Sequence, residues 1–106
     1  MAMDLNKLMQ QAQEMQAQMA KAQEELKNET VEASAGGGMV TVKATGGLEI
    51  VEIKIAPEAI DPDDPDLLAD MVLAAVNEAL RSAQSLVESK LGSAMGGLQG
   101  LGLPGL

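Results

Sequence analysis

The spacing of apolar residues changes twice along this chain, from a helical period to an alternating one and back again. In the first segment apolar or small residues recur by fours and threes, a pattern that predicts a helix with a coiled-coil seam. The seam begins at Met1 and continues through Leu5, Leu8, Ala12, Met15, Met19, Ala22 and Leu26. No Gly or Pro interrupts residues 4–27, which supports the helix. The seam can pack on this chain's own sheet or on a second copy of the chain, and the pattern leaves both open.

Three short segments with alternating apolar residues follow the helix and predict β-strands. Their apolar faces are Val31, Ala33 and Ala35, then Val40, Val42 and Ala44, then Val51, Ile53 and Ile55. Gly clusters at 36–38 and 46–47 separate the segments and permit tight turns, so the strands are expected to form an antiparallel meander. In the third segment Leu48 and Ile50 fall on the opposite parity from Val51, which indicates either a β-bulge or a strand that is buried on both faces.

A second helix is predicted after an acidic, proline-containing connector, because Asp64 followed by Pro65 is a favourable helix start. Its apolar stripe comprises Leu68, Met71, Val72, Ala75, Val76, Ala79, Leu80, Ala83, Val87 and Leu91. Gly92 is expected to end this helix. The sequence therefore predicts one α+β domain over residues 1–91, built as a helix, a three-stranded antiparallel meander and a helix. Residues 92–106 are expected to form a flexible Gly/Leu-rich tail.

The residue types present exclude most chemistry. The chain has no Cys and no His, which removes disulfides, thiolate nucleophiles, imidazole bases and nearly all zinc or haem sites. The one acidic cluster, which lacks the central Gly and terminal Glu of a calcium loop, comprises Asp61, Asp63, Asp64 and Asp66. We therefore expect no enzyme, no metal site and no cofactor. No segment has the features of a signal peptide or the length of apolar residues that a membrane span needs, so a cytoplasmic protein is expected.

The core is expected to be thin, because Phe, Trp and Tyr are absent and the apolar residues are aliphatic, with eight Met among them. Aliphatic side chains bury less area than aromatic ones, so we expect oligomerisation to add to the buried surface.

Charge is distributed unevenly along the chain. The net charge is -9, yet residues 1–23 carry equal numbers of acids and bases, whereas the acids are concentrated in residues 24–78. If the two helices pack antiparallel, the start of the first and the end of the second form one non-acidic end. Lys7 and Lys21 lie two heptads apart on one side of the first helix, and the backbone N–H groups at its start are further donors. A polyanion could approach there, although such a scatter of Lys and Gln is also typical of an ordinary solvated helix face.

Four segments together resemble the YbaB/EbfC nucleoid-associated family. They are LMQQAQEMQ at 8–16, GGGMV at 36–40, IAPE at 55–58 and DMVLAAVNEAL at 70–80. The resemblance covers nearly the whole chain in the same order. It implies an α+β homodimer with projecting helices, double-stranded DNA as partner, and a role in nucleoid organisation and gene expression in the bacterial cytoplasm and nucleoid.

The resemblance also implies which residues contact DNA. The candidates are Lys7, Lys21, Arg81 and Lys90, with Gln10, Gln11 and Gln18 as supporting donors. Gln10 stands where relatives often carry Lys, Gln18 stands where some relatives carry Lys, and Ala56 stands where Asp is usual. Each lost phosphate contact weakens binding, so a weak binder with little sequence preference is expected. The alternative is an acidic interaction scaffold that engages other proteins through the Met-rich first helix and the Gly/Leu-rich tail.

Overall fold

The computed structural model describes the backbone of residues 4–99 and the side chains of residues 4–94. The elements, in chain order, are helix α1 (Leu5–Asn28), strands β1 (Thr30–Ala35), β2 (Val40–Thr45) and β3 (Ile50–Ile55), a 3₁₀ turn (Pro57–Ala59) and helix α2 (Pro65–Gln99). The predicted α+β order of a helix, a three-stranded meander and a helix is confirmed.

The sheet is antiparallel in the order β1-β2-β3, with a glycine turn between the first two strands. Gly36, Gly37 and Gly38 all have positive φ, which side chains with a Cβ rarely adopt. Between β2 and β3 the pairing steps from Lys43 opposite Glu52 to Ala44 opposite Ile50, so Val51 is an extra residue. The change of parity in the third strand is therefore a β-bulge and not a strand buried on both faces.

The core lies between β2 and α2 and consists of small residues. The fully buried side chains are Val40, Val42, Ala44, Ala75, Ala79 and Ala83, of which Val40 and Val42 are the largest. Alanines spaced by four on α2 let the helix backbone approach the central strand closely. The core is thin, as the absence of aromatic residues predicts.

Helix α1 projects beyond the sheet because a single extended residue, Glu29 (φ -88°, ψ 138°), joins it to β1. Within α1 the buried residues are Ala22 and Leu26, near its end. Helix α2 runs antiparallel to β1, since Met71 lies against Gly36 at one end of the strand and Lys90 meets Glu29 at the other. The last turns of α2 therefore leave the sheet on the same side as α1, and the molecule is elongated, 77 × 24 × 16 Å.

The start of α2 was predicted correctly, but the predicted end was not. Asp64 caps its start, accepting a hydrogen bond from the Leu67 N–H at 3.2 Å, as predicted. The end predicted at Gly92 is wrong, because the helix continues through Gly92 to Gln99. A glycine inside a helix costs about 1 kcal/mol relative to Ala, which its neighbours can offset, so Gly alone does not terminate a helix. The division into a domain over 1–91 and a flexible tail stays a prediction, and residues 100–106 lie outside the described part.

We predict that Gly46→Ala destabilises the fold. A Cβ at position 46 would lie 2.5 Å from the Leu26 carbonyl oxygen and 2.8 Å from the Leu26 Cβ, at the junction of α1 with the sheet. Neither group is the end of a flexible side chain, so the backbone has to move, and such overpacking costs about 1–3 kcal/mol. The measurement is the urea midpoint of unfolding at one fixed protein concentration.

Gly92→Ala is the matched control, because a Cβ at that helical position meets nothing. It should raise the free energy of unfolding by about 0.8–1 kcal/mol through helix propensity. Equal midpoints for the two variants would show that α1 does not seat closely over Gly46.

Candidate nucleic-acid interface

Five polar residues lie along one side of α1 at spacings of four and three. They are Lys7, Gln11, Glu14, Gln18 and Lys21, and we call them the polar stripe. All five side chains are exposed. At 1.5 Å of rise per residue, the two lysines are about 21 Å apart along the helix axis. Gln10, also exposed, lies one turn after Lys7 beside the stripe.

The two lysines of the polar stripe are not neutralised by an ion pair within the described residues. Other cations nearby are paired, since Lys27 lies 3.9 Å from Glu24 and Arg81 lies 3.0 Å from Glu78. An unpaired ammonium on an exposed helix is free to exchange its counterion for a phosphate. The polar stripe can therefore bind a polyanion, and Glu14 at its centre opposes that binding.

The start of α1 is partly occupied by its own cap. The Asp4 carboxylate accepts a hydrogen bond from the Lys7 N–H at 3.2 Å. This N–H is therefore not available to a phosphate, and the carboxylate places a negative charge where a phosphate would lie. The side chains of the stripe, and not the helix end, are the better phosphate ligands.

Lys90 has a different environment, because its ammonium lies 2.8 Å from a Glu25 oxygen and 3.0 Å from a Glu29 oxygen. Its side chain is only 26% exposed. We call Lys90, Glu25 and Glu29 the charge clamp, because the three residues hold the end of α1 against α2. The second carboxylate oxygen of Glu29 is buried without a hydrogen-bond partner in the described part of the chain, so the negative charge of the clamp is not fully compensated.

The charge clamp shifts the pKa of two of its members in opposite directions. The hydrogen bond and the charge of Lys90 lower the pKa of Glu25 below 4.5, with a smaller contribution from Lys21. Hydrogen bonds from Lys90 to Glu25 and Glu29 raise the pKa of Lys90 above 10.5. Both shifts favour the charged forms of Glu25 and Lys90 at neutral pH.

The structure thus brings together some of the predicted DNA contacts and separates others. Lys7, Gln10, Gln11, Gln18 and Lys21 lie along α1. Arg81 lies on the part of α2 that covers the sheet, about 13 Å along the helix axis from Lys90. Lys90 is engaged in the charge clamp.

The sequence reading missed the clamp, because Lys90 and Glu29 are 61 residues apart and no periodic pattern links them. In the sequence Glu14 counts only toward the charge balance of residues 1–23, although its heptad spacing from Lys7 and Lys21 places it between them on one side of α1.

The seam predicted on α1 has a buried end and an exposed end. Ala22 and Leu26 are buried and Met19 is half-buried, so this end of the seam packs within the protomer. The exposed end comprises Leu5, Leu8, Ala12 and Met15.

The described residues form no metal site and no deep cavity. No group of three or more acidic side chains there is arranged to hold a metal ion. The surface depressions are open and shallow; one of them is lined by Asp4, Lys7, Leu8 and Gln11. Across residues 4–99, neither helix has a stretch that is long and apolar enough to cross a bilayer.

Comparison with known proteins gives a consistent result. The model of the YbaB/EbfC DNA-binding family matches residues 1–98. A nucleoid-associated protein of Acetivibrio thermocellus is 56% identical over 97% of this chain and 89% of its own length. One from Ruminiclostridium cellulolyticum is 52% identical over 97% of this chain and 88% of its own length. The crystal structure of an uncharacterized protein from Helicobacter pylori has the same fold, with a TM-score of 0.71, 23% identity, and coverage of 92% of this chain and 99% of that one.

We predict that the charge clamp stabilises the fold in a pH-dependent way. Lys90→Met leaves Glu25 and Glu29 as unpaired like charges and should lower the urea midpoint at neutral pH. Because the folded pKa of Glu25 is lowered, its contribution is present above the unfolded value of 4.5 and is lost as pH falls through the folded pKa. Because that of Lys90 is raised, its contribution is present below 10.5 and is lost as pH rises through the folded pKa. The difference between wild type and variant should therefore shrink at both extremes.

Arg81→Met is the control for the loss of a cation. Arg81 is exposed and pairs within its own helix, so its removal should change the midpoint little at any pH. If Lys90→Met and Arg81→Met behave alike at neutral pH, the clamp does not hold α1.

Proposed function

The chain belongs to the YbaB/EbfC DNA-binding family, and on that premise we propose that it is a nucleoid-associated protein that binds double-stranded DNA along α1. The observation that carries the proposal is the polar stripe, in which Lys7 and Lys21 lie exposed and unpaired, within the described residues, on a helix that projects from the sheet. The family identifies DNA as the ligand, and the polar stripe is the surface that we propose binds it.

The charge distribution favours this surface over the rest of the molecule. The excess of acidic residues lies in 24–78, a range that includes the sheet, the connector and the start of α2. The negative charge of residues 24–78 repels DNA. The first part of α1, whose charges balance over residues 1–23, is a surface that a polyanion can approach. The acidic body therefore orients the protein on DNA, with α1 towards the duplex.

Binding in this mode is weak and largely independent of sequence. Each chain offers two unpaired lysines on the polar stripe, and Glu14 lies between them. Contacts from lysine to phosphate fix position but carry no sequence information. Gln11 and Gln18 add neutral donors to phosphate or sugar oxygens.

We propose further that the protein acts as a homodimer, with a second copy covering the apolar side of β3. Helix α2 covers one face of β1 and β2 but hardly reaches β3. On the same face of the sheet, the β3 residues Ile53 and Ile55 therefore remain 45% and 38% exposed. They pair with Val42 and Val40, the largest fully buried side chains, and so continue the core to its open edge. A second copy would complete a core that is too thin for a single chain.

A homodimer also doubles the number of stripes. Two projecting α1 helices held by one body bind the same duplex with an effective concentration set by their separation. Two weak contacts then give useful affinity without further lysines. We assign the protein no catalytic role, and we place it in the cytoplasm at the nucleoid.

We predict that Lys7→Gln combined with Lys21→Gln weakens DNA binding and flattens its salt dependence. Each phosphate contact that is lost should reduce the slope of log K against log salt by about 0.9. The measurement is a salt series of fluorescence anisotropy on one random-sequence duplex. Glu14→Gln removes the opposing charge and should act in the other direction, raising affinity at low salt.

Lys43→Gln combined with Lys54→Gln is the matched control, because it removes the same charge from the polar face of the sheet. These lysines pair with Glu52 and lie away from α1. The control should leave the salt slope unchanged. If both double variants weaken binding equally, net charge and not the polar stripe determines affinity.

We predict that Ile53→Glu converts the dimer to a monomer, because a carboxylate cannot be buried unpaired in an apolar interface. Sedimentation equilibrium should give half the mass. Lys54→Glu, on the opposite face of the same strand, should retain the dimer mass. A dimer that survives Ile53→Glu would place the interface elsewhere.

A further inference from the structure

The seam of α1 is longer than the surface that covers it. Its last residues, Ala22 and Leu26, are buried where α2 lies alongside, and Met19 is half-buried. Beyond this point the same face carries Met15, 39% exposed, and Leu5, 69% exposed. The apolar pattern therefore continues for about 15 Å of helix with no covering element among the described residues.

The element that covers the first part of the seam points towards the rest of it. Lys90 meets Glu25 and Glu29, and α2 continues for nine further residues to Gln99, antiparallel to α1. Nine residues of helix advance about 13 Å, which brings Gln99 level with the middle of α1. The chain beyond Gln99 therefore starts beside the exposed end of the seam.

We propose that residues 100–106 dock on the exposed end of the seam in the same chain. Their sequence is GLGLPGL, and no charged residue occurs after Lys90. An extended segment of seven residues reaches about 23 Å, more than the 15 Å to be covered. Pro104 has no backbone N–H to donate to a continuing helix, so an extended conformation on the seam is the one that we propose for this segment.

The pattern of the segment suits an apolar groove. In an extended chain alternate residues share a face, so Leu101 and Leu103 would point together towards the seam. Gly100 and Gly102 on the other face add no bulk. Leu8 and Met15 offer apolar surface without charge, and the flexible Met adapts to an irregular partner.

A segment of the same chain has an advantage over a second copy as the occupant. Its first residue follows directly on Gln99, so docking closes a short loop and does not bear the entropy of association. The stripe lysines lie on another side of α1 and remain exposed when the seam is covered. The docking is therefore independent of DNA binding, and its test needs no DNA.

The absence of cysteine allows a clean test by paramagnetic NMR. A nitroxide attached to Gly105→Cys should broaden the amide signals of residues 5–15, while those of β2 keep their intensity. Isotope-labelled, spin-labelled chain is diluted into an excess of unlabelled, unmodified chain, so that the effect reports contacts within one chain. Broadening confined to the reverse mixture, in which the spin label and the isotope are on different chains, would overturn the proposal in favour of a second copy.

A second variant separates docking from mere proximity. Leu101→Ser with Leu103→Ser, added to Gly105→Cys, keeps the chain length and the label but removes the apolar contacts. The signals of residues 5–15 should then recover their intensity. Broadening as strong in this variant as in Gly105→Cys alone, or no broadening in any sample, would show that the segment does not dock on the seam.

Discussion

The last turn of α1 is the place on which the rest of the structure depends. Leu26 packs there over Gly46, and Lys90 reaches from α2 to Glu25 and Glu29. Glu29 is extended and leads directly into β1, so there is no flexible loop between the helix and the sheet. A small change in the backbone of this turn therefore displaces the far end of α1 by a larger distance. The buried contact fixes where the helix leaves the sheet, and the charge clamp fixes its angle to α2. The position of every residue of the polar stripe follows from these two contacts.

The elements of this fold are predictable from the sequence because each has a clear period and clear ends. Alternating apolar residues between glycine clusters define the three strands, and Asp64 with Pro65 defines the start of α2. The features that escape prediction depend on long-range context. The parity change at Ile50 fits both a β-bulge and a strand buried on both faces, and only the pairing of β2 with β3 decides between them. Likewise, Gly92 can end a helix or lie within one, and its neighbours decide which. Lys90 is equally unpredictable, since its partners lie 61 and 65 residues away in sequence.

The same contrast applies to the candidate DNA surface. Lys7 and Lys21 are related by the helical repeat alone, so sequence is sufficient to place them together. The resemblance to the family adds Arg81 and Lys90 to the candidates, yet both residues lie on α2, apart from the polar stripe on α1. Arg81 lies over the sheet and Lys90 is engaged in the clamp, so the unpaired positive charge of this group is carried by α1.

Helix α1 therefore has two working sides that can act at once. At 100° per residue, the polar stripe lies about a third of a turn around the helix from the seam. In the two proposals above, an apolar segment on the seam and a duplex on the stripe contact different sides of α1, so neither has to displace the other. Most helical stability in proteins comes from packing of one face, and within α1 the buried residues are Ala22 and Leu26, near its end. The lysines of the polar stripe are therefore supported from the packed end of α1, and cover of the rest of the seam does not have to involve them.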